Sequence, residues 1–137
     1  MLIGNYSHTI DAKGRVSIPA KFREELGSQI VVTKGPGECV LVYSLEKFEP
    51  LRKSIEALPF TQNKVKHFFL GDAFDVELDK QGRILMPPPL RIYSKLEKDV
   101  SVVGMSDHIE IWNSGNWEAE EKDNEENITA LLESANI

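Results

Sequence analysis

One cysteine, Cys39, stands in 137 residues, so no disulfide can form within the chain and zinc or iron–sulfur ligation by clustered thiolates is excluded. That scarcity fits a reducing compartment. Long apolar runs are missing too: nothing approaches the ~20 consecutive apolar residues that span a bilayer, and the opening MLIGNYSHTID carries no basic leader. A soluble, cytoplasmic protein with no membrane partner is expected. The three histidines, His8, His67 and His108, are scattered without a repeated partner. No HExxH, Ser-centred elbow or phosphate-binding glycine loop occurs. The chain is therefore not expected to be an enzyme, and no catalytic residue, metal, cofactor or small-molecule substrate is expected. Asp11 and Asp79 taken together as acid and base would have no substrate pocket to serve.

Positive charge is also short overall, since 16 Lys/Arg against 22 Asp/Glu leave a net charge of -6. The deficit is local. Residues 1–71 carry 10 basic against 7 acidic side chains, and residues 72–137 carry 6 against 15. Between Glu118 and Glu133 seven acids face the single Lys122, a balance of -6, so everything outside that segment sums to zero. A basic face elsewhere is compatible with the total.

What the chain does contain is a repeat. DAKGR at 11–15 returns as DKQGR at 79–83, and a constant offset of 68 matches Asp11/Asp79, Gly14/Gly82, Arg15/Arg83, Pro19/Pro87 and Arg23/Arg91. Apolar positions keep the same register, with Val16/Ile84, Ile18/Met86 and Phe22/Leu90; CVLVYSLEKFE at 39–49 parallels HIEIWNSGNWE at 108–118 one residue further out. The chain is a duplicated unit of roughly 65–70 residues. At 41% apolar, it can bury one ordinary core or two small ones.

Within each unit a β-rich segment, NYSHTI or FDVEL, leads through Asp and a turn ending in Gly to a short strand, RVSI or RILM. Gly supplies the positive φ that such a hairpin needs, and Asp can accept turn amides. Pro19 and Pro87 suit the first turn of a helix, AKFREELG reads as a short helix stopped by Gly27, and two strands close each unit. Between the units, Phe48, Leu51, Ile55 and Leu58 recur at helical spacing, bounded by Ser44 and Pro59. Pro50 predicts that this helix starts near Glu49 or bends there. A second helix is predicted from Thr61 as N-cap to Gly71. The apolar faces of these helices, or the barrel edges, are candidates for self-association. The acidic tail is helix-permissive, with Ile128, Leu131 and Leu132 as its apolar stripe.

Paired D-x-x-G-R-hydrophobic-x-hydrophobic-P modules, each followed by an Arg and separated by two helices, resemble the MraZ family of the AbrB/SpoVT superfamily. The resemblance runs in order to about Trp117 and rests on two copies of the motif in duplicated context. It implies a mainly β fold with short helices (α+β), in which duplicated AbrB-like halves form a double-split β-barrel. The expected division is a first AbrB-like repeat with its following helices at 1–71, a second repeat at 72–117 and an acidic tail at 118–137. It further implies a nucleoid-associated, DNA-binding transcriptional regulator at the promoter of the division and cell-wall gene cluster, recognising short direct repeats as a ring-shaped homo-oligomer. Carried over residue by residue, the family's D-x-x-x-R motif falls on Asp11 with Arg15 and on Asp79 with Arg83. Lys13 and Lys21 are replaced by Gln81 and Pro89 in the second repeat, which points to a weaker contact there or a larger structural part.

The candidate DNA-binding residues are accordingly Arg15, Arg83, Lys13, Lys80, Arg23 and Arg91, with Asp11, Asp79, Gly14 and Gly82 shaping and orienting the motif. Guanidinium groups leaving a turn can fork onto phosphate oxygens or a guanine edge. A plain surface ion pair across each turn accounts for the same Asp and Arg. Arg23 and Arg91 are open to pairing with a carboxylate such as Glu24 or Asp79. An antitoxin-like, protein-binding module of the same barrel class, using its acidic tail, is the alternative function.

Overall fold

The computed structural model describes residues 1–137. In chain order the elements are β1 (Leu2–Thr9), β2 (Arg15–Ser17), α1 (Ala20–Leu26), β3 (Gln29–Gly35), β4 (Cys39–Ser44), α2 (Leu45–Glu56), a 3-10 turn (Phe60–Gln62) and α3 (Asn63–Leu70). The pattern then recurs as β5 (Phe74–Glu77), β6 (Arg83–Leu85), α4 (Pro88–Tyr93), β7 (Asp99–Ser106) and β8 (Ile109–Asn113), followed by α5 (Ser114–Glu126) and α6 (Ile128–Ser134). The protein is mainly β with short helices, as the sequence predicts.

Six strands form one antiparallel sheet in the order β1-β7-β8-β4-β3-β5, while β2 and β6 pair as a separate ribbon. Exchanging the two repeats leaves that order unchanged, as expected for a duplicated unit folded about a pseudo-twofold axis. Three seams, β1–β7, β4–β8 and β3–β5, join strands of different repeats. The repeats are thus interleaved in one sheet. Its end strands, β1 and β5, are not paired with each other; the β2–β6 ribbon bridges them. Each turn is closed by two backbone bonds: Asp11 N donates to Arg15 O at 3.0 Å and Gly14 N to Asp11 O at 2.9 Å, while Asp79 N donates to Arg83 O at 2.9 Å and Gly82 N to Asp79 O at 3.0 Å. The six-stranded sheet and the two-stranded ribbon are thus separate sheets built from both repeats.

The 18-residue core draws on both repeats, and the offset pairs Val16/Ile84, Ile18/Met86 and Phe22/Leu90 all lie in it. Each such side chain contributes about 1.5–3 kcal/mol when fully buried. A second cluster, Val31, Cys39, Leu41, Tyr43, Phe48, Val103 and Trp112, occupies the opposite face of the sheet, with Leu51, Phe69 and Trp117 packed against it. Apolar cover on both faces explains why β3 and β4 read as near-continuous apolar runs. Burial pushes the Cys39 thiol up to about 12, so it serves as a packing residue.

Two sequence expectations are corrected here. α2 begins at Leu45, well before Pro50, because Ser44 caps it by accepting Lys47 N at 3.2 Å and Phe48 is buried on the sheet. Pro50 removes one intrahelical bond, and burial of Phe48 and Ile55 offsets the loss. That burial also means the apolar face of α2 is already covered by its own sheet. Thr61 does not cap α3; it lies in the 3-10 turn, and the N-cap is Gln62 without a side-chain bond.

Candidate nucleic-acid interface

Each DxxGR segment folds as one hydrogen-bonded unit. Asp11 Oδ1 accepts the amides of Lys13 (3.0 Å) and Arg15 (2.9 Å), and Oδ2 accepts Arg15 Nε at 2.6 Å. Asp79 repeats this with the amides of Gln81 and Arg83 and with Arg83 Nε, all at 2.9 Å. Gly14 and Gly82 adopt φ of +86° and +75°, a region costly for residues with a Cβ. The arrangement unites the two roles weighed from sequence: Asp makes the turn and holds the Arg in one pose. Backbone amides of Arg15 and Arg83, and then their guanidinium groups, hold the two carboxyls below their ordinary range. With both oxygens committed, neither Asp is free to act as an acid or base.

The turns do not stand apart. β2 and β6 pair in the register Arg15↔Leu85, Val16↔Ile84, Ser17↔Arg83, and each turn glycine accepts an amide from the other repeat. Ile18 N donates to Gly82 O at 2.9 Å and Met86 N to Gly14 O at 2.8 Å. A contact that sequence reading missed follows from this ribbon. Arg91, nine residues beyond Gly82, lies against the first turn, where a Cβ on Gly14 would meet its Nη1 at 3.2 Å. Arg23 correspondingly lies across the second turn, where a Cβ on Gly82 would fall inside its guanidinium. The glycines are required for space as well as for φ.

Arg23 and Arg91 take neither carboxylate partner considered from sequence. Arg23 Nε donates to Ile18 O at 2.7 Å and Arg91 Nε to Leu96 O at 3.4 Å, and no acidic oxygen lies within 4.0 Å of either. Four arginines of the ribbon region are thus anchored through Nε, and their Nη atoms make no hydrogen bond. This leaves the forked end of each guanidinium available for a phosphate or a base edge. Lys13 and Lys80 are exposed on the turns, and Lys21 sits 6.0 Å over the Tyr6 ring. An apolar cavity of about 610 Å³ lies beside Lys13 and Arg91, lined also by Phe74, Leu85 and Ile92.

His108 stacks on Tyr43 with ring centroids 4.5 Å apart and contacts Asp107. The acidic tail forms two helices. Trp117 of α5 packs beside Trp112, whereas Ile128, Leu131 and Leu132 of α6 stay exposed.

Comparison with known proteins matches the amino-acid sequence to a family. The model of the family described as "MraZ protein, putative antitoxin-like" matches twice, over residues 1–68 and 69–136. The chain belongs to the MraZ family. Curated relatives named "Transcriptional regulator MraZ" span it in full. One from Thermoanaerobacter sp. (strain X514) is 48% identical over 143 aligned positions, and one from Caldanaerobacter subterraneus subsp. tengcongensis is 47% identical over 143, each covering all of both chains. A third, from Acetivibrio thermocellus, is 47% identical over 133 positions, 95% of this chain and 92% of its own length. The double match of the MraZ model agrees with the duplication seen in the strands, with one strand–turn–strand–helix unit in each half.

Proposed function

We propose that the chain is a sequence-specific, DNA-binding transcriptional regulator that acts at the promoter of the division and cell-wall gene cluster, gripping short direct repeats as a ring-shaped homo-oligomer. The observation that carries this is the set of four arginines, Arg15 and Arg83 on the ribbon and Arg23 and Arg91 on the helices beside it, all anchored through Nε with their Nη ends free. Full-length relatives named as transcriptional regulators support it. Lys13 and Lys80 add phosphate contacts, and Asp11, Asp79, Gly14 and Gly82 hold the arginines in place. No cofactor or catalytic step is needed.

One copy carries a net charge of -6, so its attraction for DNA is confined to the ribbon. Several copies on adjoining repeats supply the avidity that one lacks, and affinity falls steeply with salt. No helix is long and apolar enough to cross a membrane. Footprinting the purified protein on DNA upstream of its own gene tests the proposal. Protection of a regularly spaced repeat array is expected; uniform cleavage at concentrations where the protein is folded and assembled would overturn it.

A second proposal is favoured by one observation, the exposed Ile128, Leu131 and Leu132 on an acidic helix. An antitoxin-like module would use that stripe to occupy a protein partner. Removing residues 128–137 would then abolish capture of the partner, while a regulator without that role would keep its footprint and lose nothing else.

A further inference from the structure

We propose, resting on the reading of the chain as a DNA-binding protein, that backbone phosphates are held at two composite sites, each assembled from both repeats. The first joins the Asp11–Arg15 turn to Arg91, and the second joins the Asp79–Arg83 turn to Arg23. The units that act together on DNA therefore cross the repeat boundary, although the motif in sequence groups Arg15 with Arg23 and Arg83 with Arg91.

Proximity supports this pairing. Arg91 reaches within 3.2 Å of the Cβ position at Gly14, the residue just before Arg15, and the Arg23 guanidinium covers Gly82, just before Arg83. Charge supports it as well. In each site two guanidinium groups share one carboxylate: Asp11 serves Arg15, Asp79 serves Arg83, and Arg91 and Arg23 have none. Each trio of two arginines and one carboxylate is left with one uncompensated positive charge, to which Lys13 in the first turn and Lys80 in the second add another. Both second arginines are only partly exposed, so water screens that charge less than it would on a free surface side chain. A phosphodiester brings negative charge to this positive set, and its two free oxygens suit guanidinium forks. Carbonyls of Ile18 and Leu96 fix each second arginine through Nε, and this leaves the Nη edge free for the anion.

A double-mutant cycle on the full-length protein tests the grouping. Arg15→Ala, Arg23→Ala, Arg83→Ala and Arg91→Ala are made singly and in pairs, and affinity is measured for a duplex from the protein's own upstream region. Thermal unfolding and solution mass are recorded for each variant. Arg15 with Arg91, and Arg23 with Arg83, should be non-additive by about threefold or more, whereas Arg15 with Arg23 should multiply within error. If an alanine variant fails to fold, Arg→Gln keeps most of the side chain and serves in its place. Arg91→Lys should restore stability without restoring full affinity, because an ammonium cannot fork; full recovery of affinity would make Arg91 a structural residue and overturn the proposal. Coupling that follows the repeats would overturn the composite sites and leave DNA binding standing. If no single variant weakens DNA binding in folded, assembled protein, both fall.

Discussion

In the first turn, residues 12 and 13 are Ala and Lys; at the matching places in the second they are Lys and Gln. Yet Asp11 and Asp79 accept the same two backbone amides and the same guanidinium nitrogen, and both glycines take positive φ. The positions that make the turn are unchanged, and the positions that face outward have diverged. Duplication thus preserved a device while its two displays separated, which is why identity between the repeats cannot by itself mark a DNA contact.

The shared part of the comparison is tested most severely in the ribbon, where Val16 and Ile84 face each other fully buried. Ile84→Ala should cost about 2–5 kcal/mol of unfolding free energy, and Val16→Ala less, since fewer methyl groups are lost. Denaturant unfolding measures both. A negligible cost at either position would show that the two halves do not share one core.

Binding should separate the turns. Arg15→Ala is expected to weaken binding to upstream DNA by about 1–3 kcal/mol, and Arg83→Ala by less, because Gln81 stands where the first turn has Lys13. Equal losses in a titration would break the asymmetry, and a larger loss at Arg83 would reverse it.

Gly14→Ala and Gly82→Ala should each cost about 1–2 kcal/mol of stability from positive φ alone. They should differ in DNA affinity. Gly82→Ala must displace the Arg23 guanidinium, whereas Gly14→Ala only presses on Arg91 Nη1 at 3.2 Å. Matching affinities would show that the crossing arginine is not held by the turn.

Acid should have the gentlest effect and should treat the turns alike. Both carboxyls are held below their ordinary range by bonds present only in the fold. Their stabilising contribution is complete above the unfolded value of about 4 and is lost as pH falls through the lower, folded value. Protection of the Lys13 and Gln81 amides, taken relative to the intrinsic exchange rate at each pH, should stay flat from pH 7 to 5 and fall together below about pH 4. Release of one turn well before the other would contradict their common construction.

Much of this was legible before any coordinates. Asp, Gly and Arg at fixed spacing specify a hairpin by local chemistry, and the buried pairs Ile18/Met86 and Phe22/Leu90 declare themselves by apolar register repeated at one offset. At α2 the boundary at Ser44 is legible in the sequence, but a start near Glu49 suggested by Pro50 is overruled by the Ser44 cap and by burial of Phe48, a tertiary contact. Local reasoning misled at Thr61, where a 3-10 turn precedes the helix. The Nε bonds of Arg23 and Arg91 are local, to Ile18 O and Leu96 O, but their place against the opposite turns was out of reach because it depends on which strand β2 pairs with. Asp79 was a near miss for Arg23: the guanidinium crosses that very turn, over Gly82 and not against the carboxylate.

The register Val16↔Ile84 places the pseudo-twofold axis at the middle of the ribbon. A face with a true twofold offers the same groups to a duplex laid on it in either direction. Here Lys13 opposes Gln81 and Ala12 opposes Lys80 across that axis, so turning the duplex end for end exchanges unlike neighbours. The ribbon therefore has a heading, and copies set side by side with the same heading can follow sites that all point one way along DNA.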